Sequence, residues 1–110
     1  MTSPQKAAEF RDSLLKAVDE GLLVCGRIVR DALYHCLATK YKIKREQIHE
    51  RLEDFHKAMT DLLGDGPATV LGRLIAKRLY DMLRLDWSEH RNWTLAEYAK
   101  HAQRQFDSRT

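Results

Sequence analysis

From Pro4 to Lys40 the chain carries one unbroken helical pattern. Phe10, Leu14, Val18 and Leu22 recur at helical spacing, and Cys25, Ile28, Val29, Ala32, Leu33, Cys36 and Leu37 continue it. Ser3 before Pro4 reads as an N-cap followed by the first helical residue. A straight helix of that length would be ~55 Å long. A compact domain of 110 residues has a radius of gyration of about 13 Å, so such a rod would overhang it. Either the helix breaks near Gly21 or Gly26, each costing ~1 kcal/mol inside a helix, or its first half packs on another chain. A break near these glycines is the favoured expectation. The overhang is the sequence's best sign of a dimer.

The rest of the chain is also helical in pattern. No alternating stretch bounded by turn signals marks a strand. After the connector 42–45, residues 46–50 fit one helical turn, and residues 51–63 fit a helix with Leu52, Phe55, Met59, Leu62 and Leu63 on one side. Gly64-Asp65-Gly66-Pro67 is the strongest punctuation, with Gly64 placed to end one helix and Pro67 to start the next. That helix, about 67–85, would bury Val70, Leu71, Leu74, Ile75, Leu79, Met82 and Leu83, with Tyr80 at the margin. Thr94-Leu95-Ala96-Glu97 is a capping box opening a helix over 94–106. Its thin apolar face (Leu95, Ala96, Tyr98, Ala99, Ala102, Phe106) suits a lid, and the tail 107–110 should fray.

The expected fold is therefore all-α: one domain, 1–110, a compact bundle of four to five helices. An N-terminal helix spans about 4–24, and the core is built by helices 27–40, 51–63 and 67–85. The terminal helices pack around that core or, for the first, across a dimer.

Composition narrows the class. With 44% hydrophobic residues, 32% charged residues and a net charge of +3, the chain is neither disordered nor fibrous. No stretch approaches the ~18 apolar residues of a membrane helix, and MTSPQKAAEF lacks the apolar run of a signal peptide. The expectation is a cytoplasmic protein without membrane contact. Cys25 and Cys36 then read as reduced, buried, small apolar residues.

The small net charge hides local blocks. Residues 1–39 and 85–110 are each neutral, residues 40–45 carry +4, residues 46–65 carry −4, and residues 66–84 carry +3. Lys40, Lys42, Lys44 and Arg45, interleaved with Tyr41, are candidates for gripping a polyanion or an acidic partner. Arg73, Lys77 and Arg84 fall on one helix face and would form a second patch. The favoured expectation is a solvated face or pairing with the acidic stretch between the patches, at ~0–1 kcal/mol per exposed pair, ahead of polyanion contact. A helix-turn-helix reading of 51–85 is disfavoured. The second helix opens with Pro67, Ala68, Thr69 and Val70, which offer no Arg, Asn or Gln to a base edge.

Signs of catalysis are weak. Glu53 and His56 have the Glu-x-x-His spacing of di-iron bundles, with His49 a further turn back, but such sites need two copies and two more glutamates. No phosphate loop or nucleophile elbow is present. The expectation is a protein that is not an enzyme and carries no metal and no cofactor. Trp87 and Trp93 bracket the connector 86–92, either as anchors pinning it to the core or as interface aromatics.

Several segments in order also resemble a known group. Gly26 is followed by Val29, Ala32, Tyr34-His35 and Leu37. Lys44-Arg45-Glu46 and Ile48 come next, then Phe55, Ala58 and Leu63-Gly64, and finally Leu74-Ile75, Leu79-Tyr80 and Leu83. Over residues 22–84 this resembles a small archaeal family of helical output domains, found alone or fused to response-regulator receiver domains. His49 stands where the pattern has a proline, and Pro67 replaces a helix-forming residue. The resemblance implies a helical module acting downstream in signalling and transfers no catalytic residues. Together these readings predict a non-enzymatic interaction or output module, a homodimer with a protein partner. The alternative is a nucleic-acid-binding regulator using residues 40–45 and the Arg73/Lys77 face.

Overall fold

The long apolar run breaks at Gly26, and its two glycines serve different ends. In the computed structural model, which describes residues 3–109, the first helix (α1) is Pro4–Leu23 and the second (α2) is Arg27–Lys40. Between them Gly26 takes φ +97°, a left-handed conformation that favours glycine. The last amides of α1 tighten into the turn: Val24, Cys25 and Gly26 donate to the carbonyls of Gly21, Leu22 and Leu23. Gly21 stays helical because it lies against the fourth helix. A Cβ there would sit 2.4 Å from Ile75 Cγ1.

A 3₁₀ segment, Arg45–Glu50, follows, then α3 (Leu52–Leu63), α4 (Asp65–Leu83) and α5 (Leu95–Asp107). The described residues contain no strand, so the chain is an all-α bundle. Its radius of gyration is 13.5 Å, the size of a compact single chain. No helix among the described residues is long and apolar enough to cross a membrane.

Local signals account for most helix ends. Lys6 N–H donates to Ser3 Oγ at 3.1 Å, the cap expected for α1. Gly64, at φ +94°, both ends α3 and begins α4. The start of α4 at Asp65, two residues before the expected Pro67, places that proline in the first turn, where amides have no intrahelical partner. The capping box forms at α5, with Glu97 accepting from Thr94 N–H at 3.2 Å.

The core is arranged differently from expectation. Its central pair is α1 and α4, with α1 buried through Phe10, Leu14, Leu15, Ala17, Val18, Gly21 and Leu22. The pair runs antiparallel. Gly21 meets Ile75 and Glu20 meets Arg78, while Lys6 reaches the C-terminal segment that borders the end of α4. Helix α2, placed in the core by its periodicity, buries only Leu33 and Leu37 and leaves Ile28 85% exposed. The cause is residue size. Gly21 lets α1 approach α4 at Ile75, while on α4 Gly72 lies against Leu95 of α5 and Ala68 borders Phe55 and Met59 of α3, so α4 takes α1, α3 and α5 around it. The N-terminal helix thus packs on its own chain and does not overhang it.

Two further corrections concern α4. Val70 and Leu74, read as core, are exposed. Each lies one residue before the buried positions Leu71 and Ile75 and so is turned about 100° away. Tyr80, expected at the margin, is fully buried, and its hydroxyl donates to the Tyr98 carbonyl at 2.9 Å. Burial and Tyr98 push the Tyr80 phenol up to about 12.

The C-terminal segment also departs from expectation. Arg109 donates from both terminal nitrogens to the Leu83 and Arg84 carbonyls, each at 2.6 Å, and Lys6 bonds the Arg109 carbonyl. The tail is clasped through Arg109 instead of fraying; Thr110 lies outside the described residues.

Candidate interaction surfaces

The basic candidates do not form one surface. Lys40, at the end of α2, and Lys42 and Lys44, on the connector after it, are exposed. Lys40 Nζ lies 5.5 Å from the Tyr41 ring centroid, and the Lys42 carbonyl accepts from Arg51 at 2.8 Å. Arg45 is committed elsewhere: its Nε donates to Asp19 Oδ1 at 2.8 Å, and Tyr34 hydroxyl donates to the same oxygen. Burial opposes ionisation of Asp19, but hydrogen bonds from Arg45 and Tyr34 and the charges of Arg45 and Arg30 outweigh it. They hold the carboxyl below its ordinary value. Burial and Asp19 in turn push the Tyr34 phenol upward, and the Asp19 hydrogen bond raises Arg45 further.

Asp19 and Gly21 are two residues apart on α1 and so point about 200° apart around it. Arg45 grips the Asp19 side, whereas α4 packs on the Gly21 side. The connector patch and the Arg73/Lys77 face are thus separated by α1, and the two predicted patches are not adjacent. Arg84 leaves the second patch as well. It lies past the end of α4 in a left-handed conformation, φ +55°, and does not continue the helix face.

Arg73 and Trp93, assigned in sequence to different candidate sites, meet across a cavity of about 210 Å³. It lies between α3, the start of α4 and the loop leading into α5, and His56, Asp65, Arg91 and Asn92 also line it. Arg73 Nε is buried and makes no hydrogen bond, although Glu89 Oε1 lies 3.4 Å away. Lys77, one turn on from Arg73, is exposed.

Trp87 and Trp93 anchor their loop. Trp87 stacks on Tyr98 with centroids 4.9 Å apart and meets Tyr80 edge-on at 5.1 Å. Trp93 stacks on His90 at 3.7 Å and meets Tyr98 edge-on at 5.2 Å. Tyr98 hydroxyl accepts from His90 N–H at 2.8 Å and donates to its carbonyl at 3.0 Å. Their rings are engaged within the chain.

A larger cleft, about 380 Å³, runs between α1, α3 and α5 over a floor of Phe10, Leu14, Leu52, Ala96 and Ala99. His49 borders it with Nδ1 buried and unbonded, and Nε2 is 3.5 Å from Glu50. Glu53 is on this rim while His56 lines the other cavity, so the Glu-x-x-His pair faces two different spaces.

The clearest surface was missed by periodicity. Leu23, Val24, Ile28 and Val29 are exposed at the α1–α2 corner, by 45%, 64%, 85% and 42%. Cys25, expected to be buried, is exposed among them, and both cysteines are free. The signal was the triplet Leu22-Leu23-Val24. Three consecutive apolar residues sweep about 200° of a helix and cannot all face one core.

The fold and surfaces define a helical bundle with an unpartnered apolar corner. No family model, no curated protein and no solved structure matches the chain.

Proposed function

We propose that this chain is a non-enzymatic helical interaction module, working through protein–protein contacts, with the α1–α2 corner as its docking surface. The observation that carries this reading is the corner itself: four exposed aliphatic side chains within seven residues, around an uncharged stretch from Gly21 to Gly26. Scattered surface hydrophobics are ordinary, but a contiguous group at one turn suits a contact site.

The occupant is a second copy of the chain. Arg27 and Asp31 flank the corner with opposite charges, and Asp31, which accepts from Arg30 at 3.2 Å, stays largely exposed. A two-fold arrangement can therefore set the Arg27 of one copy against the Asp31 of the other, as a self-complementary interface requires. Light scattering over a concentration series tests this: a dimer is expected, and Ile28→Asp should give a monomer. Oxidative crosslinking through Cys25 should trap the dimer, and Cys25→Ser should abolish trapping. A monomer at every concentration would remove the reading.

A role in signalling output rests on the resemblance over residues 22–84. Tyr34 and Arg45, two residues of that pattern, converge on Asp19. The free thiols support a cytoplasmic location, where a reducing environment keeps them so. A second reading, nucleic-acid binding, is supported by Lys40, Lys42 and Lys44, which are exposed and pair with no carboxylate among the described residues. A mobility shift that weakens steeply with salt and is lost in the triple Lys→Gln variant tests it. No shift at low salt ends it.

A further inference from the structure

We infer that the 210 Å³ cavity between α3, α4 and the loop before α5 is a binding site for a small phosphomonoester. Arg73 and Arg91 would take the phosphate and Trp93 would face its carbon body.

The argument begins with the donors. Arg73 and Arg91 both line the cavity, and neither guanidinium donates a hydrogen bond to another described residue. Glu89 lies 3.4 Å from Arg73 Nε, near enough to share charge but not aligned as a hydrogen bond. Planar guanidinium forks match phosphate oxygens in pairs, and this is the strong form of such a contact. His56 and Asn92 add polar groups on two other walls. Asp65 is the one carboxylate lining the space and Glu89 stands beside Arg73, so two arginines face two carboxylates. A phosphate on Arg73 takes the place of Glu89 while Arg91 closes on it from the loop. The α5 start contributes little, because Glu97 already occupies the Thr94 amide.

Size and shape set the ligand class. The cavity is smaller than the ~300 Å³ at which drug-sized sites begin, which leaves room for a phosphate and a compact body but not for a dinucleotide. Trp93 is held in place by its stack on His90 and its edge contact with Tyr98. It gives that body a rigid apolar wall whose orientation is fixed before binding.

Calorimetry at fixed ionic strength, with inorganic phosphate and phenyl phosphate as probes, tests the assignment. Phenyl phosphate should bind about tenfold more tightly than inorganic phosphate, through the added ring contact. Amide shifts should map to residues 56, 73 and 91–93. Arg73→Gln and Arg91→Gln should each weaken phenyl phosphate about tenfold, and Lys77→Gln should leave it unchanged. Arg91 is exposed on a loop, so its variant keeps the test valid if Arg73→Gln folds poorly. Absence of binding at millimolar probe, equal affinity for the two probes, or shifts centred on residues 40–44 would each overturn the proposal. So would saturation by a phosphoserine peptide or an oligonucleotide when phenyl phosphate does not bind.

Discussion

Asp19 shows how a single carboxylate can link three segments. It accepts from Tyr34 on α2 and Arg45 on the 3₁₀ segment while itself belonging to α1. Its folded-state pKa lies below the ordinary 3.8. The stability it contributes is therefore present above the unfolded pKa and is lost as pH falls through the lower folded value. Asp19→Asn should cost about 1 kcal/mol at neutral pH, since the ion pair is partly exposed. The gap from the parent protein should close below about pH 4, as read from urea midpoints across a pH series. A gap independent of pH would mean that packing, not charge, carries the effect. Gly21 and Gly26 make a second residue-scale contrast. Gly21→Ala improves helix propensity but forces its Cβ to within 2.4 Å of Ile75 Cγ1. Overpacking of this kind costs about 1–3 kcal/mol. Ile75→Ala opens a cavity of its own, so the test is a double-mutant cycle: Gly21→Ala should cost less in the Ile75→Ala background than in the parent, since the clashing atom is gone. Gly26→Ala meets nothing within 4 Å, so its cost is that of the left-handed backbone alone, and no second-site truncation should rescue it.

At the level of elements, the end of α4 is held by an unusual cap. Arg84 occupies the left-handed position where helices commonly place glycine, and Leu85 N–H returns to the Tyr80 carbonyl at 2.9 Å. The last carbonyls are then covered by Arg109 from the end of the chain. Arg84→Gly should stabilise the protein by about 1 kcal/mol, because a non-glycine residue is strained there. Arg109→Ala should destabilise it by a similar ~1 kcal/mol, with faster amide exchange confined to the last turn of α4. Equal protection in both proteins would show that the Arg109 contact is idle. These ends also show what the sequence reveals and what it withholds. Ser3, Gly64 and Thr94-x-x-Glu97 could be read directly, because each cap uses atoms within a few residues of itself. The Arg109 clasp could not, since it joins residues far apart in the chain. The standing of α2 was hidden for a related reason. Its apolar spacing resembles that of α1, but burial is decided by which helices can approach. Gly21 on α1 permits it against Ile75 of α4, and Gly72 on α4 permits it against Leu95 of α5. The same limit applied to the candidate sites. The charge blocks were legible as local sums, but nothing local says that Arg45 would be drawn onto Asp19 or that Arg73 would share a cavity with Trp93.

Over the whole molecule, the two proposed surfaces sit toward the same end of α4 but on different flanks. The antiparallel register, with Gly21 against Ile75, sets the α1–α2 corner near the N-terminal half of α4. Leu74, exposed by 37%, lies on the flank where Arg78 meets Glu20. The cavity opens on another side, through Thr69, Gly72 and Arg73. Thr69 and Leu74 are five residues apart and so lie about 140° apart around the helix. A second copy docked on the corner would therefore leave the cavity open, and an anion in the cavity would touch no residue of the corner. Two sites without shared contacts and without a two-state element between them should not be coupled. Dimer affinity measured by sedimentation should be the same with and without saturating phenyl phosphate. Phenyl phosphate affinity should be the same for the parent protein and for Ile28→Asp. Linkage makes these two comparisons one test, because any effect of the ligand on dimerisation must return as an equal effect of dimerisation on the ligand. A shift in both beyond about threefold, near 0.7 kcal/mol, would show that the rigid α1–α4 pair transmits strain between its flanks. The module would then be a switch, in which a small phosphorylated molecule sets how strongly the corner docks.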